Sequence, residues 1–171
     1  MSLDSNLNSD GSADRSSQRP KIWVDADACP VAIREILFRT INRLNLQLIF
    51  IANQSVNIPE SKLVVSIVVP HGADLADHKI VDMMNEGDVV ITSDIPLAAR
   101  VVEQGGVAIG SRGELLDDKT VHSRLAARNL MDQLRSAGMT TGGPKPLSQK
   151  DIQTFANQLD RTITRALRKF S

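Results

Sequence analysis

The chain contains no tyrosine, one tryptophan and one cysteine, and aromatic residues make up only 3% of its 171 positions. Stacking platforms for unpaired bases are therefore scarce, which argues against a protein that reads bases by aromatic stacking. The lone Cys29 cannot close an internal disulfide, so a reducing, cytoplasmic setting is expected. No apolar run approaches the roughly 18 residues needed to span a bilayer, and no membrane partner is expected. The first twenty residues, "MSLDSNLNSDGSADRSSQRP", lack the apolar stretch of a signal peptide, and their Ser/Asn/Asp content predicts a flexible tail. Net charge is missing as well: 20 basic residues meet 20 acidic ones.

That balance hides an asymmetry. Residues 21–118 hold 8 Lys/Arg against 14 Asp/Glu, a net of −6, whereas residues 119–171 hold 10 against 3, a net of +7. Hydrophobic content of 42% is ordinary for a globular protein, and the length suits one domain, expected over 21–171. Short apolar runs alternate with helical patterns. "KIWVD", "LQLIFIA" (46–52), "LVVSIVV" (63–69), "DVVIT" (88–92) and "VAI" (107–109) read as strands. Between them, a helix from Pro30 carries Ile33, Leu37, Ile41 and Leu44 on one face; another covers about 74–85, and a third begins at Pro96. Near-continuous apolar strands joined by helices predict a three-layer α/β/α fold with a mostly parallel sheet of about five strands. After 118 the pattern is helical: one helix over about 119–137 with Val121, Leu125, Met131 and Leu134 inward, then a "GMTTGGPKPLS" loop. A last helix follows, N-capped by Ser148, with Ile152, Phe155, Leu159, Ile163, Leu167 and Phe170 on its apolar face.

In an open parallel sheet, ligands bind beyond the carboxyl ends of the strands. Asp25 closes the first strand and Asp27 follows it. Asp94 comes just after "DVVIT", and Asp74 and Asp77 lie three apart at a helix start. So many carboxylates in one crevice repel one another unless a cation sits among them. Oxygen ligands without a Cys/His cluster point to Mg²⁺ or Mn²⁺, which activates water for in-line attack on phosphorus. The competing explanation is local: Asp25 and Asp27 capping the helix at Pro30, Asp74 as an N-cap, and Asp94 capping the helix at Pro96. Thr92 and Ser93 offer hydroxyls beside Asp94 for a phosphate oxygen or a metal-bound water. Cys29 reads as a small, partly buried thiol, and Asp74 with His78 as a surface i,i+4 pair.

The segments "VDADACPV", "PHGADLADHKIV", "GDVVITSDIPLAARVVEQGG" and "TGGPKPLSQKDIQTFANQLDR" together resemble the YaiI/YqxD family of uncharacterised bacterial proteins, over about residues 21–167. That family is similar to PIN-like domains, which are metal-dependent nucleases with a parallel α/β/α sheet. The resemblance implies that Asp25, Asp77 and Asp94 match the three PIN acids. They end the first strand, precede the apolar Ile80 in a helix, and close a Thr-x-Asp pattern. Asp27 and Asp74 belong to the YaiI/YqxD pattern itself. A fourth PIN acid has no match, since Asp117 and Asp118 come later and read as a turn before a helix.

Three functions are consistent with these residues. The first is a Mg²⁺- or Mn²⁺-dependent nuclease acting on RNA in preference to DNA, with Asp25, Asp27, Asp77 and Asp94 catalytic and Asp25, Asp74, Asp77 and Asp94 holding metal. Its phosphate contacts would come from Thr92, Ser93, Arg124, Arg128, Lys145, Arg161 and Arg165, with Arg135 and Arg168 on the same helices. A solvated helix face is the plainer account of the arginine stripe. The second is a haloacid-dehalogenase-like phosphatase, for which Asp25-x-Asp27 supplies nucleophile and acid. Against it, Cys29 stands where threonine or valine is expected, no lysine follows "VIT", and no flap fits before the helix. The third is a nucleic-acid-binding module with a silent site. The residues assign no oligomeric state.

Overall fold

The computed structural model of the chain describes residues 19–72, 74–138 and 145–169. Residues 1–18 of the expected tail over 1–20, residues 139–144 of the expected loop and Phe170 lie outside the described residues. The elements are β1 (Ile22–Asp25), α1 (Val31–Leu44), β2 (Leu48–Ala52), β3 (Val64–Val68), α2 (Leu75–Met83) and β4 (Val89–Ile91). They continue with α3 (Ile95–Glu103), β5 (Val107–Ile109), β6 (Leu115–Leu116), α4 (Val121–Ser136) and α5 (Gln149–Lys169). A 3-10 turn, Ala26–Ala28, links β1 to α1.

The six strands form one sheet in the order β3-β2-β1-β4-β5-β6. Neighbours pair in parallel except β5 and β6, which are antiparallel. The expected five strands are all present, and β6 is an addition. Its two residues are too few to show a period, and the strand forms because Gly113, at φ +86°, turns the chain back. The amides of Gly110 and Gly113 close that turn onto the carbonyls of Glu114 and Gly110, each at 2.9 Å.

Side chains alternate across the strands, so both faces of the sheet are apolar. Ile22, Val24, Leu48, Phe50 and Ile91 meet α1, through Ile33, Leu37 and Ile41, and α5, through Phe155, Leu159 and Ile163. Trp23, Ile49, Ile51 and Val90 face the other way, onto Ile80 and Met84 and onto Leu97 and Val101 of α3. Each fully buried Ile, Leu or Phe contributes about 1.5–3 kcal/mol. Leu44, expected inward, is half-buried at the rim.

Helix α4 departs from its expected burial. Val121 packs with Ala98, Ala108 and Leu116, but Met131 is 37% and Leu130 56% exposed. The sheet ends at the two-residue β6, so it covers only the first turn of α4, and the rest of the helix lies beside α3. Ser148 caps α5 as expected: its Oγ accepts from the Asp151 amide at 3.1 Å, and Asp151 Oδ2 accepts from the Ser148 amide at 3.0 Å. At the amino edge of the sheet, the buried Asp88 accepts from the amides of Lys21 and Asn85 and from Trp23 Nε1, at 2.9–3.0 Å.

Candidate functional site

From β1 the chain winds outward through β2 to β3, then returns to lay β4 on the other flank of β1. At such a switch point the connections leaving the carboxyl ends diverge and open a crevice. Asp25 is the last residue of β1, and Asp94 precedes the first residue of α3 just past the end of β4. Helix α2 packs against β1 and β2 and brings Asp77, in its first turn, to the same edge.

The electrostatics show that these carboxylates act on one another. Asp25 is pushed up from 3.8 to about 6, first by burial and then by the charges of Asp77, Asp27 and Asp94. Asp77 also rises from 3.8 to about 6, through burial and then Asp94 and Asp74, while Arg100 and His78 act in the opposite direction. Asp25, Asp77 and Asp94 thus form one coupled group, with Asp27 and Asp74 at its margins.

The capping explanation holds for one of these residues. Asp94 Oδ1 accepts from the Leu97 amide at 3.1 Å and caps α3. Helix α1 starts at Pro30 with no side-chain cap. Asp74 occupies the N-cap position of α2 at φ +62°, but its carboxylate makes no cap bond. Asp27 is exposed and accepts the Asn53 amide at 3.2 Å; it lines a separate hollow of about 240 Å³ with Arg34 and Gln54. No hydrogen bond to the Asp25 or Asp77 carboxylate is found among the described residues.

Thr92 is buried, and its Oγ1 accepts from the Asp94 amide at 3.0 Å, so it positions Asp94 from beneath. Ser93 is exposed and its hydroxyl meets that of Ser111 at 3.2 Å. Burial pushes the Cys29 thiol up to about 11, with Arg34 partly offsetting, so a thiolate nucleophile is disfavoured near neutral pH. The expected Asp74–His78 link is a backbone bond, His78 N to Asp74 O at 2.9 Å.

The expected phosphate contacts fall into two groups. Arg124 and Arg128 line a groove of about 490 Å³ together with Ser93, Gly110 and Arg112. Lys145 is exposed beside it, its carbonyl accepting from Arg112 Nη2. Arg161 and Arg165, also expected among the phosphate contacts, lie toward the opposite edge. Arg165 lines a hollow with Gly87, Gly105 and Val107, at the amino ends of β4 and β5. Arg161 adjoins Asp160, which pairs with Arg43 in the last turn of α1 at 3.0 Å. The cause is the direction of α5. Its first turn is anchored to the carboxyl-edge loop by the Arg112–Asp151 pair at 2.5 Å, and Arg161 and Arg165 stand about 15–21 Å beyond Asp151 along the helix axis. Arg100, Ser111 and Arg112 were not singled out in the sequence; for Ser111 and Arg112, the position just after the "VAI" strand was the available signal.

Among the described residues, no three His, Cys, Asp or Glu side chains stand close enough to ligate one metal ion directly. No helix among them is long and apolar enough to cross a membrane. The model of the family described as "Uncharacterized BCR, YaiI/YqxD family" matches residues 23–165. The chain is 50% identical over 148 residues to a UPF0178 protein of Hydrogenovibrio crunogenus, covering 86% of this chain and 98% of that one. It is 51% identical over 148 residues to a UPF0178 protein of Marinobacter nauticus, covering 86% and 99%. A UPF0178 protein of Maridesulfovibrio salexigens is 50% identical over 149 residues, covering 87% and 99%. No solved structure matches the chain.

Proposed function

The chain belongs to the YaiI/YqxD family, and from its crevice we propose that it is a PIN-like, metal-dependent phosphodiesterase acting on nucleic acid, on RNA ahead of DNA. One observation carries this reading. Asp25 and Asp77, with no capping bond to occupy them, are held near 6 by burial and by neighbouring carboxylates at the switch point of the sheet. A fold tolerates such repulsion when a bound cation relieves it.

The donor set suits Mg²⁺ or Mn²⁺: it is all oxygen, hard and anionic. Mg²⁺ commonly keeps several waters and takes one or two carboxylates, which accords with a group not drawn to direct three-ligand distance. One or two of Asp25, Asp77 and Asp94 would hold the ion directly and the remainder through its waters, with Asp74 at the margin, and the ion would supply an activated water and charge relief at phosphorus. Without the ion, burial and the neighbouring carboxylates hold Asp25 and Asp77 at about 6, so near neutral pH both are largely ionised and available to a cation. Thr92 fixes the backbone of Asp94, and Arg100 moderates the charge around Asp77. The phosphatase alternative needs Asp27 to act as an acid beside Asp25, whereas Asp27 is exposed, turns one oxygen to the Asn53 amide and lines a separate hollow with Arg34.

The test is cleavage of an end-labelled RNA with Mn²⁺, compared with EDTA and with Asp25→Asn and Asp77→Asn. Loss of cleavage in EDTA and a fall of about a hundredfold or more in each variant are expected. Metal-independent cleavage, or variants as active as the starting protein, would sink the assignment. Turnover of a chromogenic phosphate monoester instead would favour the phosphatase, and strand binding with no turnover the silent module.

A further inference from the structure

The groove beside the crevice has two walls. One is α4, on which Arg124, Arg128 and Arg135 follow at spacings of 4 and 7 residues. At 100° per residue these positions fall within about 40° of one another, so they form a stripe about 16 Å long. The other wall is the turn between β5 and β6, which contributes Gly110, Ser111 and Arg112. Met131 supplies apolar surface, and none of the residues lining the groove is aromatic.

The three guanidiniums of α4 are held loosely. Arg124 meets Glu114 at 3.3 Å, while Arg128 and Arg135 share Asp132 at 3.1 and 3.6 Å, all with side chains 40–58% exposed. Exposed pairs of this kind contribute about 0–1 kcal/mol, so a phosphate can displace the carboxylates at little cost. The planar guanidinium fork suits phosphate oxygens. Ser93 joins the two sites: it adjoins Asp94 of the crevice, and its hydroxyl touches Ser111 in the groove wall.

We propose that this groove is the track for the sugar–phosphate backbone of a single-stranded nucleic acid, leading away from the Asp94 side of the crevice along α4. Arg124, Arg128 and Arg135 grip the phosphates, while Arg112, held by Asp151 and the Lys145 carbonyl, shapes the facing wall. A recess of about 490 Å³ between one helix and a tight turn has the dimensions of a ligand pocket and takes one strand rather than the broad convex surface of a duplex. With no aromatic in its walls, the groove follows the backbone and is indifferent to base sequence. The choice of polymer rests on the phosphodiesterase reading; the location of the track does not.

The experiment measures binding of a short fluorescein-labelled oligouridylate by anisotropy, in EDTA, over a salt series. The Arg128→Ala, Arg135→Ala double variant is expected to weaken binding about tenfold and to reduce the log–log salt slope by about 1.4, two single-strand contacts' worth. Asp132→Asn frees both arginines and is expected to tighten binding several-fold. The Arg161→Ala, Arg165→Ala control is expected to match the starting protein. The proposal is overturned if the groove variant binds unchanged, if Asp132→Asn does not tighten binding, if the control loses as much as the groove variant, or if no strand binds at low salt. A duplex bound as tightly as the strand overturns its single-stranded character. Repeating the series with Mn²⁺ separates the two claims. Groove-dependent binding without cleavage removes the phosphodiesterase and leaves the track; cleavage by the groove variant with unchanged kcat and KM removes the track and leaves the phosphodiesterase.

Discussion

Replacing Asp25 with asparagine removes one charge from the crevice while keeping the size of the side chain at the end of β1. A carboxyl held at about 6 rather than 3.8 corresponds at most to about 3 kcal/mol. Asp25 is only partly buried, and solvent screening reduces that to about 1–2 kcal/mol. The sign follows from proton binding. Between 3.8 and about 6 the folded chain retains a proton that the unfolded chain releases. Stability from this group is therefore full below pH 3.8, falls as pH rises through that window, and is lost above about 6. Asparagine escapes the penalty. Without metal at pH 7.5, Asp25→Asn should melt about 2–8 °C above the starting protein, and the gap should close as pH falls toward 4. Millimolar Mn²⁺ should raise the melting temperature of the starting protein and much less that of the variant, narrowing or reversing their order. Circular-dichroism melts in EDTA across pH, repeated with Mn²⁺, provide the measurement. A variant no more stable at pH 7.5, or a gap that persists unchanged at pH 4, refutes the reasoning.

Asp88→Ala strips the acceptor from three N–H groups at the amino edge of the sheet and should cost about 3 kcal/mol or more in urea denaturation; a loss below about 1 kcal/mol would show that water replaces the carboxylate. Gly113→Ala places a Cβ 2.7 Å from the Thr154 carbonyl carbon at a φ of +86°. It should destabilise the chain by about 1–2 kcal/mol and speed amide exchange in the first turns of α5, and unchanged exchange there would contradict the close contact. With its thiol pushed up to about 11, Cys29 should react with a disulfide reagent at pH 8 about a hundredfold more slowly in the folded chain than in denaturant. Comparable rates in the two states would mean that the thiol is not shielded.

Features set by local spacing were determined by the sequence alone. Apolar runs such as "LIFIA" can only be buried on both faces, which made the layered α/β/α arrangement legible before any contact was known. The apolar period of α5 and the Ser148–Asp151 cap need only neighbours along the chain. Tertiary structure decided what depends on distant segments meeting. The laying of β4 beside β1 couples Asp25 to Asp94, and α2 crossing the same edge brings in Asp77. The direction of α5 sent Arg165 to the amino edge, a separation invisible in a helical wheel, which records the face of a side chain but not its height above the sheet. Likewise the short β6 left most of α4 uncovered. The pattern marks apolar positions; only the packed sheet determines how far along a helix there is a surface to cover them.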